Sequence, residues 1–307
     1  MGFSTTKDRT FAVYDKVSGW IARRPAPIRR AAYGVFGGIL WVAYALPGNL
    51  VRPTMKALAR HAGRTSPARM FRGFVRKFIA GTDMTEQVRH GFGTTLNGAL
   101  TIPDKERLDA YLAHGGLFLA LPHLHASLAM TRCLAQSYDI LAVVSLTRNA
   151  NRAEAQKALY AQVDGDFLDA RNEEPAKVAR SILKALKAGK IVVGTVDRIQ
   201  EAPQTAYDKE KDVVRVEAFG QPVGYGGWPT RFAAKAGAPL VPAMVTQDAG
   251  GGISLILGEA TVPTGDVQEA TQAWVSELER LVKAHPEEWA FSLDKHWSRV
   301  VQAAPPE

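Results

Sequence analysis

Residues 116–149 read GLFLALPHLHASLAMTRCLAQSYDILAVVSLTRN, and they set the fold class. An apolar run at 116–121 is closed by Pro122, an amphipathic stretch follows to about 135, and a second apolar run opens at 140. Short, unalternating apolar runs are strands buried on both faces, and a helix between two of them makes a β–α–β unit. The rhythm continues with a helix over 152–163, a short strand at 167–170 and a helix over 175–188. KIVVGTV at 190–196 is the expected central strand, dense in β-branched residues. Residues 213–219 alternate like a half-exposed strand, and a Gly-rich turn leads into a helix near 230–236. Strands at 239–246 and 253–257 and a long helix at 267–284 close the pattern. The class is α/β, with a mixed, mostly parallel central sheet flanked by helices.

Of 307 residues, 46% are hydrophobic and 22% charged, which excludes global disorder. One cysteine excludes a disulfide framework and a cysteine-based zinc site; Cys133 lies in an apolar helical pattern and reads as core. No metal or cofactor is expected. The net charge of +8 is uneven: residues 1–90 hold 16 Lys and Arg against 4 Asp and Glu, and residues 91–307 hold 22 against 26. The chain therefore reads as a basic N-terminal segment, 1–90, ahead of an α/β domain, 91–307.

Within the basic segment, AAYGVFGGILWVAYALPGNLV (31–51) carries no formal charge and has about the ~20 residues of a membrane-crossing helix. Pro47, Gly48 and Asn49 interrupt it near its end, and both flanks are basic, so a spanning and an interfacial anchor are both open. A second stretch, PARMFRGFVRKFI (67–79), puts Met70, Phe71, Phe74, Val75, Phe78 and Ile79 on one helical face and arginines on the other. An amphipathic basic helix over about 67–80 suits an anionic membrane surface. The alternative is a helix docked on the protein's own core. No helix-turn-helix, zinc-finger or ribonucleoprotein motif is present, so no nucleic-acid partner is expected.

Functional groups in α/β sheets favour the carboxyl ends of strands. Pro122-His123-Leu124-His125 follows one strand, Thr147-Arg148-Asn149 the next, and Asp197-Arg198 the central one. Together they can supply a base, an anion binder and an orienting carboxylate. Histidines after a strand also serve as caps, and Asp197 with Arg198 as a surface pair, so the residues alone leave both readings open. Ser127 can assist by hydrogen bonding or cap the following helix. Gly226 and Gly227 either let backbone approach a ligand or simply turn the chain.

Several features in order resemble one family. An apolar N-terminal run ends in Leu46-Pro47 and a basic helical stretch follows. His123 comes after its strand, Arg148-Asn149 after the next, and Val196-Asp197-Arg198 after the third. Phe219-Gly220-Gln221-Pro222 precedes RFAAKAGAPLVP at 231–242, and His285-Pro286-Glu287-Glu288-Trp289 with Lys295-His296-Trp297 closes the chain. From about residue 31 the sequence resembles the bacterial lipid A biosynthesis (lauroyl/myristoyl) acyltransferases, a family including mycobacterial phosphatidylinositol mannoside acyltransferases.

The resemblance implies a glycerolipid-acyltransferase-like fold and a membrane-associated O-acyltransferase. The acyl chain would pass from a thioester, on acyl carrier protein or coenzyme A, to a hydroxyl of a lipid or glycolipid. His123 would be the general base, with Asp197 or His125 as further catalytic groups. Arg148, Asn149, Arg198, Ser127, Gly226 and Gly227 would bind substrate. The expected location is the bacterial inner membrane, with the catalytic domain on the cytoplasmic side. The family's histidine is followed five residues later by an acid; here that position is Leu128, and counting from His125 gives Met130. Three readings follow. Asp197 orients the imidazole from the neighbouring strand end, or His125 is the base with another partner. In the third, the chain has lost the reaction and acts as a lipid-binding or scaffold protein. An ester hydrolase is remote, since no Gly-x-Ser-x-Gly turn is present.

Overall fold

The computed structural model describes residues 13–248 and 250–303. The first twelve residues of the basic segment expected over 1–90, and the last four of 91–307, lie outside the described residues. Seven strands form the main sheet: β1 (Leu100–Thr101), β2 (Leu117–Leu121), β3 (Ile140–Val144), β4 (Asp166–Asp169), β5 (Ile191–Thr195), β9 (Leu240–Gln247) and β10 (Ile253–Leu257). Their order is β1-β10-β9-β2-β5-β3-β4. The pairs from β9 to β4 are all parallel, while β10 runs antiparallel to β9 and takes β1 with it at one edge. This is the mixed, mostly parallel sheet expected of the β–α–β rhythm.

Every residue of β2 is buried, and so are the first four of β5. These two strands lie side by side in the middle of the sheet, with Leu117 opposite Ile191 and Leu121 opposite Thr195. Gly194 in β5 is required by packing: a Cβ there would sit 2.9 Å from the Phe118 ring and 3.1 Å from that of Trp228. Helix α5 (Lys105–Ala113) leads into β2, and the crossover helices are α6 (Ser127–Ala135), α7 (Ala150–Ala161) and α8 (Pro175–Lys187), with α9 (Trp228–Ala236) and α10 (Val267–Ala284) completing the flanks.

A smaller antiparallel sheet is made by β6 (Tyr207–Asp208), β7 (Val213–Ala218) and β8 (Gln221–Gly226). The expected Gly-rich turn is in fact strand β8. Its glycines serve close packing: a Cβ on Gly224 would meet Val213 at 2.6 Å, and one on Gly226 would meet Trp228 at 2.9 Å. The turn itself is Phe219-Gly220, both with positive φ (51° and 70°), which joins β7 to β8.

The N-terminal helices differ most from expectation. The helical residues 13–22 (α1) precede α2 (Ala26–Ala45), α3 (Val51–His61) and α4 (Pro67–Arg89). The uncharged run at 31–51 is not one helix. It breaks at Leu46, whose backbone is extended, and Gly48 takes a φ of 79°. Asn49 then caps both sides, donating to the Leu46 carbonyl at 2.6 Å and accepting from the Val51 N–H at 2.9 Å. Among the described residues, no helix is long and apolar enough to cross a membrane. In α4, Pro67 and a Ser66 cap start the helix, and the Met70, Phe71, Phe74 and Val75 face is buried. Phe71 stacks on Tyr44 with centroids 4.4 Å apart and meets Trp41 edge-on at 4.9 Å. The aromatic face read as membrane-seeking is therefore docked on the protein's own core, because α2 lies across it.

Helices α1 and α2 are fastened to α4 by polar contacts: Tyr14 to Glu86 (3.0 Å), Ser18 to His90 (2.9 Å) and Arg29 to Asp83 (2.6 Å). Their outer side is left apolar and exposed, with Val17 and Trp20 on α1 and Val35, Ile39, Val42 and Leu46 along α2; Val35 is 66% exposed.

Candidate active site

Parallel register brings the first two candidates together. Leu121 of β2 faces Thr195 of β5, so two residues further on His123 and Asp197 leave adjacent strand ends side by side. The contact is made twice. His123 Nδ1 meets Asp197 Oδ1, and the His123 main-chain N–H donates to Oδ2 at 3.0 Å. Asp197 is 1% exposed, whereas His123 is only half-buried. With a carboxylate accepting at Nδ1, the imidazole holds its proton there and keeps Nε2 as a lone pair.

The loop carrying His123 is itself tied to the C-terminal segment. The Ala290 N–H donates to the His123 carbonyl at 2.9 Å, the His125 N–H reaches the Glu288 carbonyl at 3.4 Å, and Leu124 bridges Trp289. Phe291 stacks flat on the His123 ring, centroids 4.0 Å apart. Two indoles approach Asp197: Trp289 Nε1 donates to Oδ2 at 2.8 Å and Trp297 Nε1 to the main-chain carbonyl at 2.6 Å. Glu288 is buried, receives the Gln247 N–H at 2.8 Å and pairs with Lys77 at 2.7 Å. Burial raises its carboxyl above the usual range, with Lys77 and the Gln247 N–H pulling the other way.

His123 opens on a cleft of about 510 Å³ across the carboxyl ends of β2, β5 and β3. Its polar lining includes Ser127, Thr195, Arg198 and Gln200; Leu121, Leu128, Val143, Val193, Tyr160 and Trp228 give it apolar walls. Leu128, where the family pattern has its acid, is part of that apolar wall.

The other sequence candidates separate into two groups. Arg198, Ser127, His125 and Gly226 line the same cleft as His123. Arg198 is exposed, its guanidinium 5.9 Å from the Phe291 ring centroid. Ser127 Oγ both donates to and accepts from the Leu124 backbone (3.1 and 3.2 Å), which is a turn cap. Among the described residues no carboxylate bonds to His125. Its ring makes T-shaped contacts with Phe74 and Phe78, and its Nε2 is buried with no hydrogen-bond partner among the described residues. Burial, with Lys77 adding to it, pushes its pKa down to about 3.

Arg148, Asn149 and Gly227 are not brought to this cleft. Arg148 lines a second depression with Lys157, Asn172 and Lys177 beyond β3 and β4. Asn149 caps α7, accepting from the Arg152 N–H at 3.1 Å. Gly227 precedes α9 and donates to the Asp212 carbonyl at 2.9 Å. Sequence reasoning gave no role to Trp289, Phe291 and Trp297, although two of them stand in the closing His-Pro-Glu-Glu-Trp and Lys-His-Trp stretches.

The geometry is thus that of an α/β protein with a strand-end His–Asp pair over a half-apolar cleft on a mostly parallel sheet. The family follows from comparison. Residues 68–299 match the bacterial lipid A biosynthesis acyltransferase family, and the chain belongs to it. The match runs from α4 through Trp297 and so includes the whole cleft. Comparison with curated proteins gives no match.

Proposed function

We propose that the protein transfers a fatty acyl chain from a thioester to a hydroxyl of a lipid or glycolipid, with His123 as general base. The observation that carries this reading is the buried Asp197 carboxylate on His123 Nδ1, at the edge of a cleft with an apolar wall. The acceptor hydroxyl gives its proton to His123 Nε2 as its oxygen attacks the thioester carbonyl carbon. The carbon–sulfur bond then breaks, and the proton passes from the imidazolium to the leaving thiolate. Asp197 holds the ring and stabilises the imidazolium. The acyl chain lies against Leu128, Val143, Val193 and Trp228, and Arg198 meets a phosphate or the developing oxyanion. Acyl carrier protein and coenzyme A both present such a thioester.

The same reading places the protein on the cytoplasmic face of the bacterial inner membrane. The exposed apolar side of α1 and α2, flanked by Arg23, Arg24, Arg30 and Arg52, would rest in an anionic leaflet without spanning it. Lipid mass spectrometry of cells with and without the protein tests the activity: one acylated species should disappear with it. An unchanged lipid profile favours the second reading, a silent lipid-binding protein, for which Leu128 in place of the acid is the supporting observation. The charge-bearing triple variant Val35→Asp, Ile39→Asp, Val42→Asp should lose flotation with vesicles containing anionic lipid; unchanged flotation would remove the α2 surface from the account.

A further inference from the structure

In this chain the orienting acid comes from a neighbouring strand, and a carboxylate turns easily about its terminal torsion. We propose that Trp289 is the positioning residue of the site: its indole N–H locks the Asp197 carboxylate so that Oδ1 is presented to His123. This rests on the reading of His123 as base.

Asp197 Oδ2 receives two donors, the His123 main-chain N–H at 3.0 Å and Trp289 Nε1 at 2.8 Å. Two donors on one oxygen fix the plane of the carboxylate and leave the other oxygen for the imidazole Nδ1–H. Bonds to a charged acceptor in a buried setting are the strong ones. Trp297 Nε1 holds the main-chain carbonyl of the same residue at 2.6 Å, so the aspartate is fixed at both ends.

Trp289 is in turn placed with little freedom. Its backbone bridges Leu124, between the two histidines. Its ring stacks on Phe219 (5.7 Å, 7°) and meets Trp297 edge-on (5.0 Å). Phe219 reaches that position with a φ of 51°, a backbone region that is costly for an aromatic residue and persists only where packing enforces it. Two residues beyond Trp289, Phe291 lies flat on the imidazole. A single short strap therefore touches both members of the pair, the acid through Trp289 and the base through Phe291.

Trp289→Phe keeps an aromatic ring against Phe219 and removes one N–H. The expected result is a fall in kcat of about 10- to 100-fold, the loss of one hydrogen bond to a charged group, with KM for donor and acceptor within about twofold. In the wild-type protein the His123 Nδ1–H should give an exchange-protected proton resonance by NMR, and in Trp289→Phe it should broaden or vanish. That second readout needs no turnover. A wild-type kcat in the variant, or a reduced kcat with the Nδ1–H resonance unmoved, overturns the proposal. Should Trp289→Phe fail to fold, benzothienylalanine at position 289 has the indole's shape without its N–H and is read the same way. His123→Ala, run in parallel, separates the two ideas. Transfer that survives it sinks the base assignment, whereas its loss beside a fully active Trp289→Phe sinks only the role of Trp289.

Discussion

His123 and His125 stand two residues apart on one strand-end loop, line one cleft, and have opposite surroundings. Both rings are half-buried, but His123 is stacked on Phe291 and bonded to a carboxylate. His125 makes T-shaped contacts with Phe74 and Phe78, and Lys77 is nearby, with no carboxylate bonded to it among the described residues. Helix α4 presses so close here that a Cβ on Gly81 would lie 2.4 Å from the His125 carbonyl oxygen. Asp197 faces the His123 ring, whereas a proton on His125 would face desolvation and the like charge of Lys77. Residue type and loop do not tell the two histidines apart; the register of the neighbouring strand, which brings Asp197 to His123, does.

Four experiments would break or sharpen that contrast. The largest effect belongs to His123→Ala, which should lower acyl transfer by about three orders of magnitude or more, in the range of general-base catalysis. His125→Ala should cost less than about tenfold in the same assay; the reverse order would exchange the two roles. Next is Asp197→Asn, which preserves shape but places an amide against Nδ1. A loss of about two orders of magnitude or more, with an unchanged circular dichroism spectrum, is expected.

Third, Arg198→Ala should raise KM for the thioester donor about tenfold, as for the loss of one charge-assisted contact, while Arg148→Ala in its separate depression should leave KM within about twofold. Equal effects would join the two depressions into one substrate path. The smallest effect concerns stability. The folded state holds the His125 pKa near 3, below its ordinary 6.5, so the unfolded chain takes up the proton first. The stability this group contributes is full above about pH 6.5 and is lost as pH falls toward about 3. Thermal melts of His125→Phe should decline less steeply than wild type across that window, and parallel curves would mean that the His125 Nε2 is open to solvent.

Much of the site was legible because parallel strands transmit spacing. Residues 116–121 and 190–196 read as buried strands, and once they pair as neighbours, candidates an equal distance past each are forced together. Arg148 and Asn149 misled because they too follow a strand. Their chain turns away beyond Leu146, where Asn149 caps α7 and Arg148 faces β4. The direction of α4 was not legible either, since an aromatic and arginine-rich helix has the same pattern on a bilayer as on a core. Trp41 and Tyr44, which decide it, arrive from α2 across a break that local pattern could not orient. The roles of Trp289 and Trp297 depend on a contact between the two ends of the domain, and no local periodicity carries that information.

The strap at Glu288–Trp289 also sets an order of events during synthesis. A ribosome releases β2, the histidine loop, β5 and Asp197 long before residues 288–297 emerge, and domains tend to consolidate from the N-terminal side. Until those last residues arrive, the His123 carbonyl, the His125 N–H and the Asp197 carboxylate lack the partners that the finished chain provides. A growing chain can hold most of its sheet and both histidines before Asp197 gains its two indole donors. The strand-end pair is therefore braced only once residues 288–297 have docked on the histidine loop.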